Sequence, residues 1–192
     1  DEESPNDEQV PTVDQENKNP KPIDYVMRPF LIRGEATMLY ARKSVGKSSL
    51  AYSIAARVVA ADFSNRPVPL LPEKWWTVPQ KGHKVLYLDF ENQQQVERKR
   101  ELFQNPYFPR DKYAECKANL LIKDMSLSGK DYSSPANHQE ILDMIEAAKN
   151  EGTSERPVDL LVIDTYTAFV HTETPSTPDG FKMLINKIRD KG

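Results

Sequence analysis

The chain is 192 residues long, with a formal net charge of −3 and a single cysteine, Cys116. That length accommodates one domain of ordinary size with a real hydrophobic core. One cysteine excludes an internal disulfide and fits a reducing, cytoplasmic compartment; no apolar run approaches the roughly 20 residues that a membrane-crossing helix needs, and no signal peptide opens the chain.

Charge is unevenly placed. Residues 1–23 carry seven acids and two lysines, a charge of −5, whereas the remainder carries 24 bases and 22 acids, a charge of +2. A near-neutral body gives no electrostatic footprint for nucleic acid, although a few local basic residues suffice for a contact. Apart from its prolines, the acidic head to Pro22 has only Val10 and Val13 as apolar residues. It cannot bury enough surface to offset its ordering entropy and reads as a disordered tail or linker, residues 1–23, ahead of one domain over 24–192. The first residue is Asp1 rather than methionine, which suggests a processed or excised piece.

The body alternates strand and helix signals. Ala36–Tyr40 is a short apolar, β-friendly run, expected as the first strand. Lys47–Ala61 follows, rich in alanine, with Leu50, Ile54 and Val58 at four-residue steps, the pattern of an amphipathic or buried helix. Asp62–His83 reads as a loop punctuated by Pro67, Pro69, Pro72 and Pro79, with Trp75 and Trp76 pinning it to the domain or marking an interface. Val85–Leu88 is a buried strand running on through Asp89 and Phe90, and Gln93–Leu102 a polar surface helix. Leu120–Ile122 is the next strand. A helix over His138–Lys149 puts Ile141, Met144, Ile145 and Ala148 on one face, and Asn137 with Glu140 three residues on gives it a cap-like start. Leu160–Ile163 is a fourth strand and Asp179–Lys191 a last amphipathic helix, with Phe181, Leu184, Ile185 and Ile188 aligned. Apolar strands separated by helices imply an α/β fold with a mostly parallel sheet covered on both faces. The alternation stops on a helix, so a further strand is expected and the C-terminal end reads as truncated.

The sharpest signal lies between the first strand and the first helix. Ala41-Arg42-Lys43-Ser44-Val45-Gly46-Lys47-Ser48 matches G-x-x-x-x-G-K-[ST] at every defined position except the first, where alanine replaces glycine. A strand-to-helix turn of this length, continuing into Ser49, wraps its backbone N–H groups around a phosphate at the positive end of the helix dipole. Gly46 permits close backbone approach, Lys47 reaches the β- and γ-phosphates of ATP, and the Ser48 hydroxyl is placed to ligate Mg2+. A methyl at Ala41 is tolerable where the turn keeps φ negative.

Two acids complete the pattern. Asp164 ends the apolar run Leu160–Ile163, at the sheet edge where ligands of open α/β sheets sit, and is expected to support the magnesium ion and to hydrogen-bond Ser48. Glu91 ends the other buried run and could polarise the attacking water as general base, with Asp89 a rival two residues earlier. The bland alternatives are a strand-end aspartate capping a turn and an acid at a helix N-terminus. His83, His138 and His171 show no metal-ligand spacing with one another or with Cys116 and read as surface or capping residues.

With these elements in order, the chain resembles the RecA-like ATPases, and within them the RepA-type branch of hexameric helicases. The resemblance is carried by Phe30–Tyr40, the phosphate loop, Val85–Asn92 and Leu160–Thr165, and the polar loop His171–Thr177 is similar too. It implies a RecA-like P-loop NTPase fold and an ATPase in which Lys47 and Ser48 hold phosphate and Mg2+, Glu91 activates water and Asp164 supports the metal. It also implies assembly into a homo-oligomeric ring and suggests DNA as a partner, for which the charge gives no support. A membrane is not expected as a partner, since no apolar run is long enough to cross one. Two other functions stay open. A P-loop small-molecule kinase would use Asp89 to orient an acceptor hydroxyl and needs an Arg-rich lid, to which Arg98, Lys99 and Arg100 come nearest, although their polar helix more simply faces solvent. A nucleotide-binding switch module would bind ATP without hydrolysis.

Overall fold

The computed structural model describes residues 22–42, 45–62, 83–90, 108–165 and 178–191. Their centre is a parallel sheet of three five-residue strands, β3 (Val85–Asp89), β4 (Leu120–Asp124) and β5 (Leu160–Asp164), in the order β4-β3-β5. Side chains alternate across a strand, so each run supplies two faces at once. Val85, Tyr87, Leu120, Ile122, Leu160 and Val162 turn to one side, against helix α1 (Lys47–Val59) and the short helix α2 (Tyr113–Asn119). Leu86, Leu88, Leu121, Leu161 and Ile163 turn to the other, against α3 (His138–Asn150) and α4 (Pro178–Lys191). Every residue of the central strand β3 is buried, as expected of a strand with neighbours on both edges and helices on both faces. The α/β reading with helices on both sides of a parallel sheet therefore holds.

Register decides which side chains gather at each end of the sheet. Val85 pairs with Leu120 and with Leu160, and the pairing runs in step until Asp89 stands opposite both Asp124 and Asp164. All three strands thus end in an aspartate at the carboxyl edge of the sheet, on the side covered by α1.

The amino edge is a closed polar network. Lys84, wholly buried, donates to the carbonyls of Ala148, Lys149, Glu151 and Ser154 at the end of α3. These are carbonyls that a helix terminus cannot satisfy internally, and a cation there complements the helix dipole. Burial pushes the Lys84 pKa down from its ordinary value. Next to it Asp159 accepts from the Lys84 N–H at 3.0 Å and from Arg33 Nη1 at 3.0 Å, with His83 Nδ1 at 3.6 Å. Burial alone would raise that carboxyl, but the adjacent His83 imidazole and the hydrogen bonds from the Lys84 N–H and Arg33 outweigh it and hold the pKa down to about 2.

Several local expectations change. Ala36–Tyr40 is not a strand: the run is irregular and exposed, with Tyr40 at 95%. Its β-friendly composition describes a pleated, half-buried surface, and no strand among the described residues pairs with it to create one. An antiparallel hairpin of β1 (Tyr25–Met27) and β2 (Leu31–Ile32) precedes it instead. Helix α2, seven residues long, is too short to declare a period. Asn137 does not cap α3 with its side chain, because its amide donates to the Asp131 carbonyl at 2.8 Å, and Glu140 is engaged by Lys130 and Tyr132. His83 and His138 are core residues, at 2% and 0% exposure, not surface ones. Burial, with the Lys187 ammonium 3.4 Å away, holds the His138 pKa below the ordinary imidazole value. Helix α4 can lie close to the loop before α3 because residue 180 is glycine: a Cβ there would fall 1.9 Å from the Ser133 carbonyl oxygen. The expected helix Gln93–Leu102, Trp75 and Trp76, residues 1–21 and His171 lie outside the described residues.

Candidate nucleotide site

The loop before α1 ends at Gly46, whose φ of 91° lies in the left-handed region. A Cβ there would meet nothing within 4 Å, so the requirement for glycine is conformational rather than steric. The first bond of the helix runs from the Leu50 N–H to the Gly46 carbonyl at 2.9 Å. A helix begun in this way leaves the N–H groups of its first turn without an intrahelical acceptor. Gly46 has no side chain to cap them and the first turn holds no acid, so the dipole end is uncompensated and suited to an anion. Lys47 folds back over the loop, its ammonium donating to the carbonyls of Ala41 at 3.0 Å and Arg42 at 2.9 Å. Val45 and Ser49 are exposed beside it, and Lys43 and Ser44 lie outside the described residues.

Across the carboxyl edge of the sheet, Ser48 meets Asp164. The serine hydroxyl donates to Asp164 Oδ1 at 3.1 Å, joining positions 116 residues apart. The other carboxylate oxygen, Oδ2, accepts from the Tyr87 hydroxyl at 2.7 Å. Asp164 is 6% exposed, yet its partners among the described residues are two neutral hydroxyls and no basic side chain. A buried carboxylate without a cation is costly, and this one sits beside a hydroxyl in an all-oxygen donor set. Ser48 and Asp164 therefore fit a small hard cation.

Two tyrosines that no motif in the sequence singles out frame this pair. Tyr87 on β3 and Tyr52 on α1 stack with ring centroids 4.1 Å apart and planes at 30°. Tyr52 donates to Asp89 Oδ2 at 3.3 Å. Burial, and then the Asp164 carboxylate, push the Tyr87 phenol well above its ordinary pKa. The available signals were a tyrosine inside an otherwise aliphatic strand and the four-residue step from Ser48 to Tyr52, which puts both on one helix face. Asp89 itself is wholly buried. Glu91 lies outside the described residues.

Comparison with known families decides the class. A family model described as an AAA domain matches residues 2–190. The chain belongs to the AAA domain family. As an AAA domain it is a nucleotide-binding protein of the P-loop ATPase type, and the phosphate-loop match and the parallel α/β sheet are both at home in that assignment. No curated protein matches the chain. No helix among the described residues is long and apolar enough to cross a membrane.

Proposed function

We propose that this AAA domain binds ATP with Mg2+ on the loop Ala41–Ser49 and hydrolyses it, as a RecA-like core of the RepA type. The observation that carries the reading is the Ser48–Asp164 contact at the carboxyl edge of the sheet, in the first turn of the helix that opens at Gly46. In this reading the first-turn N–H groups of α1 and the Lys47 ammonium take the phosphates. Lys47 need only exchange two carbonyl partners for phosphate oxygens, a charge-assisted and stronger acceptor. Ser48 and Asp164 hold Mg2+, which when bound neutralises charge on the phosphate oxygens. Glu91, two residues beyond the end of β3, is the general base.

A small-molecule kinase is the other enzymatic reading. It needs Asp89 to reach an acceptor hydroxyl, and the burial of that carboxylate under Tyr52 speaks against it. Assembly into a ring, a link to DNA and a cytoplasmic location rest on the resemblance of the motifs and, for the last, on a lone buried cysteine.

The test is ATP turnover of the chain with and without single-stranded DNA, beside a Lys47→Ala variant. Turnover raised by DNA and lost in the variant supports a nucleic-acid motor. Turnover indifferent to DNA leaves an ATPase without that partner. ATP binding without turnover, unchanged by Glu91→Gln, leaves a nucleotide-binding switch.

A further inference from the structure

We propose that Tyr87 is a positioning residue for Asp164: its hydroxyl holds Oδ2, so that the carboxylate offers Mg2+ a single oxygen, Oδ1, and discriminates against larger cations. The inference deepens the proposed function and rests on the reading of Ser48 and Asp164 as the metal-holding pair.

The two carboxylate oxygens are used differently. Oδ1 accepts the longer bond, 3.1 Å from Ser48, and Oδ2 the shorter, 2.7 Å from Tyr87. Tyr87 lies opposite Val162, two residues short of Asp164 on the same face of the sheet, so the phenol reaches forward along β5 to the carboxylate. It has little freedom to do otherwise. The residue is wholly buried in the central strand, and its ring is stacked on Tyr52. Packing explains the ring but not the hydroxyl, since a phenylalanine would fill the same space against Tyr52. The hydroxyl's hydrogen-bond partner among the described residues is Asp164.

Such a bond to an ionised acceptor is charge-assisted and fixes the plane of the carboxylate. With Oδ2 engaged, the two-oxygen grip that Ca2+ commonly takes on a carboxylate competes with the tyrosine. Mg2+ takes carboxylate oxygens singly and keeps several waters, so the clamp leaves its mode open. Partners that orient a ligating carboxylate characteristically change metal affinity when they are removed.

The experiment measures binding of a fluorescent ATP analogue to the full chain, in EDTA and in titrations with Mg2+ and with Ca2+. Tyr87→Phe is compared with wild type, with Tyr52→Phe, which removes a hydroxyl from the same stack, and with Lys47→Ala. The expected result is a rise of about tenfold in the Mg2+ concentration for half-maximal effect in Tyr87→Phe. Its binding in EDTA should equal wild type, its preference for Mg2+ over Ca2+ should narrow, and Tyr52→Phe should change neither. An unchanged Mg2+ titration, or an equal loss with and without metal, overturns the inference. Should Tyr87→Phe fail to fold, the wild type decides alone: Ca2+ promoting binding as well as Mg2+ overturns it, and a clear Mg2+ preference supports it. Undiminished binding by Lys47→Ala instead overturns the site reading beneath it.

Discussion

The two ends of the same parallel sheet bury charged groups in opposite ways. At the amino edge Lys84 and Asp159 are both answered. The Lys84 ammonium is surrounded by four carbonyls, and Asp159 is bonded by Arg33 and the Lys84 N–H with His83 nearby. At the carboxyl edge Asp164 is buried too but meets only the hydroxyls of Ser48 and Tyr87 among the described side chains. A closed network of paired charges holds elements together. A buried carboxylate left with neutral donors is suited to a cation that arrives from outside, the role proposed for Asp164. The helix contributions are complementary in the same sense: the C-terminal carbonyls of α3 are satisfied from within the fold by Lys84, while the N-terminal turn of α1 has neither cap nor acid.

This contrast predicts that substitutions at the two edges separate activity from stability. The largest effect is expected at the carboxyl edge. Asp164→Asn keeps an acceptor oxygen but removes the charge, so ATP turnover should fall about a thousandfold while the thermal midpoint stays where it is. A parallel loss of stability would mean that Asp164 is a structural residue like Asp159, and the contrast would be gone.

Next comes Lys84→Met at the amino edge. It strands several buried carbonyls at the end of α3, and denaturant unfolding should show a loss of about 3 kcal/mol. ATP turnover per folded molecule should be unaltered. Unchanged stability would show that the network is slack.

Asp159 gives a smaller and pH-dependent contribution. Its folded pKa of about 2 is depressed below the ordinary 3.8, so its stabilisation is fully present above the unfolded value. It is lost as pH falls through the window from 3.8 toward 2, and amounts to about 2 kcal/mol for a carboxyl that is 14% exposed. Acid-unfolding curves of wild type and Asp159→Asn should differ in slope in that window, and parallel curves would remove Asp159 from the network.

The smallest effect is at the start of α1. Gly46→Ala forces a Cβ into positive φ at a cost of about 1 kcal/mol, read by thermal melting, and nucleotide binding should weaken with it because the loop geometry shifts. Undiminished binding would show that the loop can reach its bound form without the left-handed turn.

Much of this was legible in the residues. Val85–Asp89 declares a buried strand because both faces of a central parallel strand are covered, and Leu160–Asp164 declares its half-buried neighbour by the same apolar run. Helices α1, α3 and α4 declare themselves through a 3.6-residue apolar repeat. The phosphate-loop spacing singles out Gly46, Lys47 and Ser48 as candidates, and the end of β5 adds Asp164, whose contact with Ser48 the structure shows. Composition misled at Ala36–Tyr40, where β-friendly residues found no pairing edge, and at His83 and His138, whose burial depends on elements distant in sequence.

What the sequence determined by itself is therefore local: the periods set by backbone geometry, the turn that only glycine enters easily, and the order of the chemical groups along the chain. The tertiary structure decided which of those groups meet. Ser48 touches Asp164 across 116 residues, and Tyr87 reaches Asp164 across 77, only because β3 and β5 pair in register and α1 lies over them. One residue of slip would turn Tyr87 to the opposite face and leave the carboxylate without its clamp, a dependence on register that no local pattern encodes.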